Sequence, residues 1–71
     1  MPDPVKEPII ISTKVNKETW LHLQMNGDKM IHNFGKVIMK SKGYIEDDLQ
    51  FVSAELYQNG DNYHVLNKIY A

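Results

Sequence analysis

In the stretch DKMIHNFGKVIMKSK, residues 28–42, the apolar side chains Met30, Ile31, Phe34, Val37 and Ile38 recur at steps of one, three, three and one. That spacing draws a single stripe along a helix of 3.6 residues per turn. Lys29, His32, Asn33, Lys36 and Lys40 fall off the stripe. A strand would instead set Met30 and Phe34 beside His32 and turn Ile31 to the opposite face. The segment reads as an amphipathic helix, with Asp28 capping its start and Gly43 following a lysine-rich last turn. Gly35 is the one weak position, costing about 1 kcal/mol relative to alanine in a helix interior.

This helix decides how Asn26-Gly27 is read. Flanked by apolar residues, such a pair signals a two-residue hairpin turn, but it equally ends one helix and opens another. With a helix downstream, the break between two helices is favoured. Upstream, NKETWLHLQM offers Asn16 as N-cap and Glu18 in the first turn, with Val15 and Trp20 at the positions of a hydrophobic staple. Before it, IIISTKV (9–15) is a strand by β-propensity. Ile9, Ile11, Thr13 and Val15 share one face, and Ile10, Ser12 and Lys14 share the other.

Beyond Gly43, Ile45, Leu49, Val52 and Leu56 keep helical steps, and Glu46, Asp47 and Asp48 would suit the first turn of a third helix. A competing hairpin would fold FVSAELY and NYHVLNKIY around Asn59-Gly60. The last segment reads as a strand with Tyr63, Val65, Asn67 and Ile69 on one face. The expected fold is therefore α+β: an N-terminal strand, two to three short helices and a C-terminal strand. The alternative is a mostly antiparallel β chain with two Asn-Gly hairpins. Pro2, Pro4 and Pro8 mark residues 1–8 as a flexible arm, leaving 9–71 as one small domain.

Seventy-one residues support one core, and a chain this short buries only about 60% of its unfolded surface. With no cysteine, neither disulfides nor thiolate metal sites can supplement that core. Pairing with a second copy or with another protein is the remaining supplement, so a homodimer is expected. The N-terminus lacks the basic and apolar regions of a signal peptide, and no apolar run approaches the roughly 20 residues of a membrane span. A soluble, cytoplasmic protein without membrane contact is expected.

Residues 1–42 carry seven lysines against four acids, and residues 43–71 carry Lys68 against five acids. Arginine is absent, which removes the planar fork used for bidentate contacts to guanine and phosphate. The Lys, Asn and Ile bias is that of an AT-rich genome such as many phages and mobile elements have. His22, His32 and His64 form no metal-ligand spacing. No Gly-rich phosphate loop, nucleophile elbow or zinc helix occurs. No catalytic residue, metal or cofactor is assigned, and an enzyme is not expected. Trp20, Tyr57, Tyr63 and Tyr70 are the candidate partner-binding residues, since these side chains bury large area while keeping a polar handle. The leading reading is a non-enzymatic regulator or inhibitor from a phage or mobile element that binds a host protein.

A second reading comes from element order. IIISTKVNKETWLHLQMNGDKMIHNFGKVIMKSK, residues 9–42, resembles the ribbon–helix–helix repressors, dimeric DNA-binding regulators in which two chains pair their N-terminal strands. That resemblance implies that Ser12 and Lys14 face the bases while Ile11, Thr13 and Val15 face the core. It also makes Lys17 a candidate DNA contact.

Overall fold

The computed structural model describes residues 7–70. The chain runs β1 (Pro8–Val15), α1 (Lys17–Asn26), α2 (Asp28–Ser41), a 3-10 turn (Asp48–Gln50), β2 (Phe51–Asn59) and β3 (Asn62–Tyr70). The three strands form one antiparallel sheet in the order β1-β3-β2. The fold is α+β, with two α-helices. Residues 1–6 of the expected arm lie outside the described residues, and Pro8 already begins β1.

α1 starts as its sequence dictates: the Asn16 side chain accepts a hydrogen bond from Thr19 N at 2.7 Å. The helix ends at Asn26, whose amide donates back to the His22 carbonyl, and Gly27 turns the chain with φ 89°. Asn26-Gly27 is thus a helix break. Asp28, expected to cap α2, is instead its first residue; Gly27 holds the cap position and no side-chain cap forms. At the other end, Gly43 N donates to Lys40 O and Tyr44 N to Met39 O. This pair of bonds is the Schellman closure of a helix C-terminus.

A third helix over Ile45–Leu56 does not form; most of that span belongs to β2 and the 3-10 turn before it. Residues 51–59 pair along β3 instead, with a β-bulge between Phe51 and Ser53. The extra residue, Val52, makes the core-facing positions Phe51, Ala54 and Leu56 step by three and then by two. Of the positions that keep helical steps, Leu49 and Val52 are exposed, so they do not form one buried face with Ile45 and Leu56. After β2, Asn59 pairs with Asn62 across a two-residue turn. Gly60 takes φ 60° and Asp61 after it does not have positive φ, which is the pattern of a II′ hairpin turn with glycine first.

Both helices pack on one face of the sheet. One cluster joins Met39, Ile45, Phe51 and Ile69, with Ile11, Ile38 and Ala54 against it. The other joins Leu23, Ile31 and Val65, with Val15, Phe34 and Leu56 against it, and Ala54 touches both. The face of α2 that enters this core is Ile31, Gly35 and Met39. It is rotated from the expected stripe, so Met30 and Val37 are left on the surface. The pivot is Gly35. A Cβ at this position would lie 2.5 Å from Ala54 Cβ and 3.3 Å from Phe51 Cζ, and it would also overlap Asn67 Oδ1. The helix axis comes close to β2 and β3 because no side chain stands between them. Asn67 is fully buried there, and neither its Oδ1 nor its Nδ2 has a hydrogen-bond partner, at a cost of about 1–3 kcal/mol.

The segment entering β2 is held to α2 by charge. Lys40 Nζ lies 3.0 Å and Lys36 Nζ 3.6 Å from the Asp48 carboxylate. The Lys40 hydrogen bond, then the charges of Lys36 and Lys40, lower the pKa of Asp48 below its ordinary value. A carboxyl with a depressed folded pKa contributes stability above the ordinary Asp range and loses it as pH falls through the lowered value. Asp48 is exposed, so this contribution is small and screened by salt. In a pH titration followed by NMR, Asp48 is expected to titrate below the ordinary aspartate range. In Asp48→Asn, the acid-side decline in stability is expected to flatten.

Candidate functional site

The sequence candidates divide among three places. Trp20 lies in the core at 8% exposure, its ring centroid 5.2 Å from that of Tyr63 at a 60° tilt. The sequence reading makes both partner anchors; here their rings lie against each other on the helix side of the sheet. Trp20 Nε1 is buried without a hydrogen-bond partner. Tyr57, on β2, is 47% exposed and faces away from the helices. Tyr70 is half-buried at the far end of β3. The four rings form no single patch.

Ser12 and Lys14 are exposed on the outer face of the sheet, while Ile11, Thr13 and Val15 turn toward the helices, as the alternation of β1 requires. Lys17 opens α1 and is exposed. On this outer face Ser12 Oγ and His64 Nδ1 are 3.1 Å apart, and the Tyr57 ring lies 6.2 Å from that of His64. A hydroxyl against an imidazole is half of a nucleophile–base arrangement. Here it lies on an open sheet, beside a dimple of about 80 Å³ among Ile10, Ser53, Glu55, Leu66, Asn67 and Lys68. His32 packs edge-on to Phe51, 4.8 Å between centroids, and His22 is exposed on α1. The three imidazoles stand on separate elements. Among the described residues, no three His, Asp or Glu side chains gather closely enough to hold a metal ion. No helix there is long and apolar enough to cross a membrane.

A larger concavity, about 460 Å³, lies on the solvent side of α2. Met30, Phe34 and Val37 form its floor, and Asn26, Lys29 and Asn33 its polar margin. The floor follows from the rotation imposed by Gly35. The apolar stripe of α2 is wider than the sheet can cover, so its uncovered edge faces water. Val37 is 64% exposed there, and Lys29 supplies the one formal charge among the lining residues. The sequence carries a signal for this surface in Met30 and Val37, seven positions apart on one helix stripe, but the stripe alone does not tell which part of it the sheet covers. The hollow is wide open to solvent, its lining coming from one face of α2 and the last residue of α1, which suits a macromolecular contact better than an enclosed small ligand. Comparison of the chain with protein-family models, with curated proteins and with solved structures gives no significant match.

Proposed function

We propose that this chain is a small non-enzymatic macromolecule-binding protein that acts by docking on another protein, as a regulator or inhibitor of the kind phages and mobile elements encode. The observation that carries the reading is the apolar surface of Met30 and Val37, exposed on α2 on either side of the half-buried Phe34, inside a concavity of about 460 Å³. Three apolar side chains on consecutive helix turns accept a row of anchors from a partner helix or an extended segment. The Lys29 ammonium and the Asn26 and Asn33 amides favour a partner with a carboxylate or backbone carbonyls beside its apolar residues. Tyr57, on the opposite side of the molecule, remains available as a separate contact. Each anchored side chain contributes about 1.5–3 kcal/mol through burial, and the cost of association must be met by these anchors together with polar contacts around them.

The test compares capture of partners from host-cell extract by the immobilised wild type and by Val37→Asp. Val37 is largely exposed, so the variant is expected to fold with stability within about 0.5 kcal/mol of wild type. A charge on the floor of the groove is expected to weaken capture at least tenfold, about 1.4 kcal/mol. Equal capture by both proteins would remove α2 as the docking surface.

The DNA-binding reading keeps one favourable observation: Ser12 and Lys14 lie side by side in space on a sheet face that no helix covers. It requires duplex affinity that falls steeply with salt, because phosphate contacts release counterions, and a loss of that affinity in Lys14→Glu. Absence of duplex binding at low salt ends it.

A further inference from the structure

The two outer strands of the sheet are finished differently. β2 is interrupted near its start by the bulge at Val52, a device that twists an edge away from further pairing. β1 has no such interruption: it pairs with β3 in unbroken register from Pro8↔Tyr70 to Val15↔Tyr63. Among the described residues no strand pairs with its other side, an eight-residue edge, PIIISTKV, whose only charge is Lys14. The core is also displaced away from it. The helices pack chiefly over β2 and β3, so Ile9 on the helix side of β1 is 45% exposed and Ile10 on the outer side is 65% exposed. Unpaired main-chain groups flanked by isoleucines on both faces make a template for another strand.

We propose that this edge is closed by a second copy of the chain, β1 against β1 in antiparallel orientation, giving a two-fold symmetric dimer with one six-stranded sheet. Charge selects the orientation. Parallel strands would set the two Lys14 ammonium groups side by side. Antiparallel pairing about Ile11 separates them by about 20 Å at 3.4 Å per residue and puts each opposite Pro8 of the other copy. In that register Ile11 meets its own symmetry mate, Ile9 meets Thr13 and Ile10 meets Ser12. The isoleucines that one chain leaves in water are then covered on both faces. This dimer leaves the groove on α2 free, so its failure would not count against the docking surface proposed above.

The test is sedimentation equilibrium of the full chain from micromolar to submillimolar concentration, with hydrogen exchange measured at both limits. The mass is expected to rise from 8.3 kDa to twice that value. At the high limit, the β1 amides that point away from β3 are expected to become protected. Ile10→Lys, a change at an exposed position, is expected to abolish the dimer while leaving the monomer folded. Because the chain has no cysteine, Ile10→Cys, Ile11→Cys and Ser12→Cys each introduce a single thiol, and oxidation is expected to cross-link Ile11→Cys most completely. A mass that stays at the monomer value throughout would overturn the proposal. So would a dimer whose outward β1 amides exchange as fast as in the monomer.

Discussion

Gly35→Val is expected to leave the chain unfolded at 25 °C, and Gly35→Ala to fold with reduced stability. The graded pair matters because helix propensity alone gives the opposite sign: alanine should improve an α-helix interior by about 1 kcal/mol. At Gly35 the added methyl would meet Ala54 Cβ at 2.5 Å, and that atom is fixed to the backbone of β2. The Asn67 side chain on the other side is buried and cannot swing into water. Relief comes only by lifting α2 from the sheet, which loosens both apolar clusters. Forcing a methyl into such a contact costs about 1–3 kcal/mol, more than the propensity gain at most values in that range. Valine adds two further carbons and a β-branch in the same space. Urea unfolding followed by far-UV circular dichroism reads both variants. An alanine variant more stable than wild type would mean that α2 does not approach the sheet at Gly35.

Trp20→Ala is expected to cost about 3–5 kcal/mol, the range for truncating a buried aromatic. For a 71-residue chain total stability is of order 4–10 kcal/mol, so this variant is at or near the folding threshold. The loss has two sources: the α1 anchor on the sheet and the ring contact with Tyr63. Trp20→Phe keeps most of the buried area and discards an indole N–H that has no partner, so it is expected to retain the fold. The single tryptophan reports its own burial: its emission should be blue-shifted in the native protein and move to longer wavelength on unfolding. Wild-type-like unfolding of Trp20→Ala would return this residue to the surface, where an interface role would need it.

How far the sequence discloses this fold depends on whether local signals agree with tertiary demands. Asn16, Gly27 and the faces of β1 and β3 are legible because capping chemistry and strand alternation are local. β2 is not, because Ile45, Leu49, Val52 and Leu56 keep helical steps although Leu49 and Val52 face water, and the strand is fixed only by its pairing with β3. The rotation of α2 is hidden for another reason: Gly35 looks like a weakness of the helix until the strand beneath it is known. The same rotation separates Met39, which is fully buried, from Val37, which is not, although both are equally apolar in the sequence. Among the candidate site residues, Tyr57 is exposed and Trp20 is enclosed. Aromatic identity alone does not distinguish them; the helix face and strand parity do.

The docking surface is tested most directly by chemical-shift mapping of the isotopically labelled chain on addition of the partner that the wild type captures. Perturbations are expected to concentrate at Asn26, Lys29, Met30, Asn33, Phe34 and Val37, with the outer sheet face unchanged. Perturbations confined to Ile10, Ser12, Lys14, His64 and Lys68, with α2 silent, would contradict it.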